Sequence, residues 1–237
     1  MFGQVVFAVG ESLPADRRKP GGLKALAEST RSVLGNRHYL GFTLCMAFSA
    51  AAMFAYISAS PFVLQNVLGF SPAAYSVTFG SCALTIGLGS LVSARLVRTF
   101  APQQVLTAGV TGMVLVTTLM LIDVTIGGVI AWVTIALMAC FMGSVGFIYA
   151  NAAALATTEV RHAAGTGSTV LGFLQYGAGA VTAPLVGLAG EATAVPMGVV
   201  MFVSAVLAGV ALFGLARGRV EGDESSTQVQ EPALSTR

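Results

Sequence analysis

Six long apolar segments dominate this chain, and all 12 of its lysines and arginines lie on one side of the zigzag that these segments form. The cations precede the first segment and follow the second, fourth and sixth, at Arg17, Arg18, Lys19, Lys24, Arg31, Arg37, Arg95, Arg98, Arg161, Arg217, Arg219 and Arg237. Loops rich in these residues stay in the cytoplasm when a membrane protein inserts. The alternation therefore predicts a multi-pass protein of the cell inner membrane with both termini in the cytoplasm.

The composition agrees with a location in the lipid bilayer. Hydrophobic residues make up 55% of the 237 residues and charged residues 9%, which is too few to cover the surface of a soluble domain. Each segment has about the 20 residues that a hydrocarbon core of ~30 Å requires. The predicted fold class is an all-α membrane protein with six transmembrane helices, at about 39–59, 74–97, 103–123, 128–151, 166–190 and 195–216.

The chain divides into four predicted regions. Residues 1–10 are apolar but too short to span a bilayer, and we expect them to be the remnant of a preceding helix. Residues 11–38 form a charged cytoplasmic linker with an amphipathic stretch over 23–34. The six-helix transmembrane bundle occupies 39–216. The polar, acidic tail at 217–237 is predicted to be disordered.

Enzyme chemistry is not indicated by the sequence. The two histidines, His38 and His162, stand at predicted cytoplasmic helix ends, and the three cysteines have no spacing typical of a metal site. We expect no metal and no cofactor. The cations are spread along loop ends rather than gathered with aromatic residues, so a nucleic-acid partner is not expected either.

Several motifs resemble the Bcr/CflA-type drug transporters of the major facilitator superfamily. The run Glu11-Ser12-Leu13-Pro14 with Arg17-Arg18 resembles the signature that opens the central loop of that family. Further matching elements follow in order: Asn36-Arg37 with Tyr39-Leu40, Tyr56, Ser60-Pro61-Phe62-Val63 with Gln65, Gly69-Phe70-Ser71, Gly146 to Asn151, and Ala164 to Ser168. The resemblance covers roughly residues 11 to 217.

The resemblance implies the carboxy-terminal six-helix half of a twelve-helix drug:proton antiporter. Such a half consists of two inverted three-helix repeats, and substrate binds between the two halves near the middle of the membrane. The family's proton coupling is attributed largely to acidic residues of the other half. Asp123 is predicted at the outer end of its helix, where we expect an interfacial residue rather than a coupling group.

The best candidates for substrate contact lie in the fifth predicted span. Phe173, Gln175 and Tyr176 stand about ten residues into it, which is ~15 Å along a helix and close to mid-depth. Aromatic rings accept amphipathic or cationic molecules with tolerant geometry. Gln175 needs a polar partner within the hydrocarbon, so it either lines the substrate cavity or bonds to a neighbouring helix.

Other spans supply further candidates. Phe54 and Tyr56 are expected to form a cavity wall or an outer gate, while Pro61 is expected to end or kink its helix. Phe147 and Asn151 approach the cytoplasmic end of the fourth span, where Asn151 contacts substrate or bonds across helices. Arg95 and Arg98 look like a degenerate form of the superfamily's loop motif, and we expect them to anchor the inner end.

Three functional hypotheses remain open at this stage. The chain is part of a proton-coupled efflux carrier for drugs or small amphipathic metabolites, and is incomplete without an amino-terminal half. Alternatively, it is a half-transporter that acts with a partner polypeptide or with a second copy of itself. The third possibility is a membrane assembly or sensor protein that has lost transport. The expected partners are the lipid bilayer, a small-molecule substrate, protons and such a second half.

Overall fold

The computed structural model describes residues 23–188 and 193–216. The predicted helix remnant at 1–10, the signature at 11–18 and the predicted tail at 217–237 lie outside the described residues.

The secondary structure of the described residues is helical. A short helix precedes six long ones: α1 (Leu23–Leu34), α2 (Arg37–Phe62), α3 (Pro72–Leu96), α4 (Pro102–Thr125), α5 (Ala131–Glu159), α6 (Ala164–Leu188) and α7 (Val195–Leu215). A π-helical turn, Val63–Val67, extends α2, and a 3₁₀ turn, Arg161–Ala163, precedes α6. Within the described part of the chain, six helical segments are long and apolar enough to cross a membrane. The predicted all-α class with six spans is confirmed.

Polar or proline residues define where several helices begin. Asn36 caps α2, because its Oδ1 accepts the N–H groups of His38 and Tyr39 at 3.0 and 3.1 Å. Ser71 caps α3 by accepting the Ala74 N–H at 3.2 Å, and proline occupies the first turns of α3, α4 and α7. These signals separate helices whose apolar sequences would otherwise run together.

The bundle consists of two interlocked three-helix units. Helix α2 of the first unit packs against α6 and α7 of the second, while α5 of the second packs against α3 and α4 of the first. The equivalent helices α2 and α5 touch each other, as do α4 and α7. Since each unit has an odd number of spans, the two units cross the membrane in opposite directions, as inverted repeats do.

Glycines allow two of these helix pairs to approach closely. A Cβ atom on Gly89 of α3 would overlap the Gly143 carbonyl of α5, and one on Gly146 would overlap the Ile86 carbonyl. A Cβ on Gly41 of α2 would come within 2.9 Å of the Ala216 nitrogen after α7. Small residues at such crossings bring backbones together, which is how helices pack in lipid.

Two spans are longer than hydropathy indicated. Regular α-helix in α2 ends one residue after Pro61, but the chain stays helical through Val67 by way of the π-helical turn. Because Pro61 has no N–H, the Ile57 carbonyl accepts the Ser60 hydroxyl instead, at 3.4 Å. Helix α5 continues eight residues beyond Asn151 to Glu159.

The two ends of the bundle differ in charge. We call the end that carries Arg37, Arg95, Arg98 and Arg161 the cationic end. There Asn36 donates to the Glu159 carbonyl at 3.3 Å, Arg37 donates to the Gly214 carbonyl at 3.3 Å, and α1 packs against α6 and α2. The far end contains the loops at 68–71 and 126–130.

Candidate functional site

A group of polar and aromatic side chains gathers halfway along the bundle, where α2, α5 and α6 face one another. It consists of Met53, Tyr149, Gln175 and Tyr176, and we call it the mid-bundle cluster. The Tyr149 hydroxyl donates to the Met53 sulfur at 3.6 Å. The Gln175 side chain lies against the same hydroxyl, and Tyr176 stands nearby.

The cluster lies near the middle of the helices that form it. Gln175 is the twelfth of the 25 residues of α6, and Met53 is close to the midpoint of the span Arg37–Val67. At 1.5 Å per residue, Gln175 is ~17 Å from the start of α6. Side chains from both three-helix units therefore meet near mid-membrane.

The aromatic residues of α6 are open to the surroundings of the bundle. Phe173 is 76% exposed and Tyr176 is 66% exposed, while Gln175 and Tyr149 are partly buried. Phe173 and Tyr176 are three residues apart and share one helix face. Tyr176 can offer aromatic surface to a ligand beside the hydrogen-bonding groups of Gln175 and Tyr149, so the structure brings together two of the predicted contact residues. Phe173 is two residues from Gln175 and lies on roughly the opposite side of α6.

Tyr56, by contrast, is a core residue in this structure. It is 1% exposed, stacks on Phe79 with ring centroids 5.8 Å apart and meets Phe141 at 6.1 Å. Its hydroxyl lies beside the Cys82 thiol but has no hydrogen-bond partner of normal geometry in the described part of the chain. These contacts join α2 to α3 and α5.

Phe54 and Phe147 also make packing contacts. The Phe54 ring covers Gly179, where an added Cβ would overlap it, and so seals the contact between α2 and α6. Phe147 packs its Cβ against Gly109 of α4, on the side of α5 roughly opposite Tyr149. Phe147 is therefore separated from the mid-bundle cluster.

Asn151 joins two helices. It is 4% exposed, and its amide donates to the Ser93 hydroxyl of α3 at 2.7 Å and to the Phe147 carbonyl at 2.6 Å. Of the two predicted roles, the geometry corresponds to the bond across helices. Arg95 and Arg98 are exposed at the cationic end, in the last turn of α3 and the turn after it.

Asp123 is a buried carboxylate at the far end of the bundle. It is 6% exposed and accepts the Thr134 hydroxyl at 2.6 Å and the Ile130 N–H at 3.4 Å. Both donors belong to the start of α5, so Asp123 fixes the connection from α4 to α5. Among residues 23–188 and 193–216, no group of three His, Cys, Asp or Glu side chains could hold a metal ion.

Met53 and Tyr149 were not predicted as site residues. Tyr149 carried a signal, because a hydroxyl in mid-span needs a partner from another helix. Met53 carried none, since an unbranched thioether suits any apolar core position.

The sequence model of the Major Facilitator Superfamily matches residues 5–184, which is most of the chain. This chain belongs to the Major Facilitator Superfamily. As a member, it is a multi-pass membrane protein of a transporter family and not an enzyme.

Two relatives of this major facilitator chain indicate where its similarities lie. It is 33% identical over 216 residues to the uncharacterized MFS-type transporter YdgK of Bacillus subtilis, with 91% of this chain and 53% of the relative aligned. It is 25% identical over 198 residues to a bicyclomycin resistance protein homolog of Haemophilus influenzae, with 81% of this chain and 48% of the relative aligned. The chain thus spans about half the length of the curated relatives that it matches.

Proposed function

We propose that this major facilitator chain is the carboxy-terminal bundle of a proton-coupled efflux carrier for drugs or small amphipathic metabolites. The mid-bundle cluster carries the proposal, because it places aromatic surface and an amide at mid-depth on an open face. The similarity to a bicyclomycin resistance protein homolog supports a Bcr/CflA-type carrier. The cations favour an inner-membrane orientation with both termini in the cytoplasm.

The proposal includes a second bundle because the most exposed spans of this chain are its least apolar ones. Within the described chain, α3 and the span of α6 have the two lowest mean hydropathies of the six spans. They are also the least buried: 17% and 22% of their most apolar 18-residue stretches are buried, against 39% to 67% in the other four spans. Helices that face lipid should be the more apolar ones. Because the two least apolar spans are also the two least buried, we infer that protein rather than lipid covers the open faces of α3 and α6.

The open face of α6 also borders the candidate site. Phe173 and Tyr176 project from the open face of α6, and Gly80 and Gly87 leave space along α3. A second six-helix bundle seated there would supply the opposite wall of a cavity, as alternating access requires. It could be an amino-terminal half or a second copy of this chain.

Proton coupling would then depend on the second bundle. In the described spans the buried carboxylate is Asp123, which is bonded to Thr134 at the far end of the bundle and not at the cluster. A proton relay requires an ionisable group near the transport path. We therefore assign the coupling group to the partner bundle.

The test is proton-dependent efflux of a fluorescent cationic dye such as ethidium from cells that produce this chain, an amino-terminal six-helix bundle of a relative, or both. We expect efflux that a protonophore abolishes when both are present. Efflux by the chain alone would favour a second copy as the partner. A stable complex with no efflux under any condition would contradict the carrier and favour the assembly or sensor alternative.

A further inference from the structure

The connection between α4 and α5 is apolar and projects from the far end of the bundle. We call residues 126–132 the α4–α5 connection. Ile126 is 83% exposed, Ile130 is 50% exposed and Trp132 is 83% exposed. Trp132 is the sole tryptophan of the chain. An exposed turn of this composition is unfavourable in water, where such turns are usually polar.

Four of the seven N–H groups of this connection donate to acceptors within the protein. The N–H groups of Ile126 and Gly127 donate to the Ile122 carbonyl at 2.9 and 3.2 Å, and that of Val129 donates to the Asp123 carbonyl at 3.3 Å. The Ile130 N–H donates to the Asp123 carboxylate at 3.4 Å. A turn in water does not need internal partners, but a turn in contact with lipid does, because lipid tails offer no hydrogen bonds.

The chain adopts an unfavourable backbone to achieve this. Val129 has φ = 56°, a left-handed conformation that a β-branched residue rarely takes, and it follows Gly128 at φ = 74°. Such a conformation persists where its surroundings hold it in place. Here Asp123 does so through its carbonyl and its carboxylate, and the carboxylate is itself held by Thr134.

We propose that the α4–α5 connection inserts into the interfacial layer of the leaflet at the far end of the bundle, with lipid headgroups and upper acyl chains as its partner. The exposed side chains of the connection continue the exposed apolar surface of the two spans that it joins, represented by Ile122 and Val133. Tryptophan is enriched at this level of the bilayer because its ring is apolar and its N–H is polar. Asp123 acts as a positioning residue for the insertion.

Lipid is favoured over a protein partner by position. The second bundle proposed above would cover α3 and α6, whereas α4 packs against α5 and α7. This choice of lipid rests on the second bundle of the proposed function, whereas the fluorescence test below requires no transport activity.

The natural single tryptophan allows a direct test on the full chain in phosphatidylcholine vesicles. Lipids brominated near the headgroup and lipids brominated near the chain end are compared as quenchers of Trp132 fluorescence, with aqueous iodide as a third quencher. We expect the shallow bromines to quench about twofold more than the deep ones, and iodide to quench weakly, as befits an interfacial ring. Strong iodide quenching with weak quenching by both lipids would place the connection in water and overturn the proposal. Weak quenching by all three would place it in a protein contact and overturn it equally.

A variant with its single tryptophan in the middle of a span provides a reference for the depth of Trp132 in the bilayer. In Trp132→Phe combined with Leu115→Trp, the tryptophan sits on the exposed side of mid-α4, where deep bromines should quench more than shallow ones. The role of Asp123 is tested by Asp123→Ala, which should raise iodide quenching of Trp132 about threefold as the turn opens to water. Unchanged quenching in a monodisperse variant would overturn that role. If the variant aggregates, Thr134→Val replaces it and is judged by the same criterion.

Discussion

The amide of Asn151 donates a 2.7 Å hydrogen bond to the Ser93 hydroxyl, and this bond joins α5 to α3 inside the bundle. Hydrogen bonds between transmembrane helices contribute about 0.6 kcal/mol on average and up to about 1.7 kcal/mol. Both partners are almost fully buried, at 4% and 2% exposure, so the upper part of that range applies.

Asn151→Ala should therefore lower the stability of the bundle in detergent by about 1 to 2 kcal/mol, measured by thermal unfolding. Ser93→Ala should have a smaller effect, and the double variant should cost less than the sum of the two. Ser81→Ala is the matched control, because the Ser81 hydroxyl bonds within its own helix at 2.8 Å. Additive costs for Asn151 and Ser93 would contradict the bond.

The close crossing of α3 and α5 gives a second prediction. Gly146→Ala places a Cβ against the Ile86 carbonyl and within 2.8 Å of the Ser90 nitrogen, so we expect it to destabilise the bundle by about 1 to 3 kcal/mol. Gly87→Ala is the control, since a Cβ there meets no atom of the described residues within 4 Å. Equal melting temperatures for the two variants would show that the crossing is looser than described.

The hydroxyl of Tyr56, which has no hydrogen-bond partner among the described residues, predicts opposite outcomes for two substitutions. Tyr56→Phe keeps the stacking on Phe79 and removes a buried oxygen that makes no hydrogen bond within the described part of the chain, so the stability should stay the same or rise by up to about 1 kcal/mol. Tyr56→Ala should lose about 3 to 5 kcal/mol, as large aromatic truncations in cores do. Thermal unfolding in detergent distinguishes them. A clear loss in Tyr56→Phe would mean that the hydroxyl is bonded.

The role of Gln175 is testable in the carrier assembled from both bundles. Gln175→Ala should change the relative efflux of a panel of dyes and drugs, by about fivefold for those that lose a hydrogen bond of roughly 1 kcal/mol, while the protein level in the membrane stays constant. Tyr149→Phe removes the hydroxyl that Gln175 faces and should give a related profile. If both variants lower protein levels and treat all substrates alike, Gln175 serves as a bond between helices.

The open face of α3 yields a prediction about assembly. Gly87→Leu adds a bulky side chain where the described bundle leaves space, so the bundle itself should keep its melting temperature. Capture of the second bundle by the tagged chain should fall severalfold. Leu115→Ala, on the exposed face of α4, is the control and should leave capture unchanged. Normal capture of the second bundle by the Gly87→Leu variant would mean that the second bundle does not bind at this face of α3.

The sequence was sufficient to predict the number and order of the spans. Long apolar runs and one-sided cations are properties of the chain alone, and they indicate topology without reference to neighbours. The inverted repeats were predicted from the resemblance to a transporter family. The match to the Major Facilitator Superfamily confirms that resemblance at the level of the superfamily.

The sequence did not indicate which face of each helix is buried in the bundle. A helix that is apolar all round shows no preferred side in its sequence, so nothing placed Tyr56 in the core or turned Phe147 towards α4. The partner of Asn151 is 58 positions away in the chain, and spacing alone does not indicate such a pair. The end of α2 was misjudged for a local reason, because the Ser60 hydroxyl compensates for the missing N–H of Pro61.

The interlocking of the two three-helix units has a consequence for biogenesis. Helix α2 finds its main neighbours in α6 and α7, which a ribosome makes after it, and the main neighbour of α3 is the later helix α5. A nascent chain that has reached Thr125 contains the first three of these six spans but few of their final contacts. The first unit must therefore remain loosely associated in the membrane until α7 has been made, and its maturation is a concerted event that membrane chaperones and quality-control proteases have time to sample.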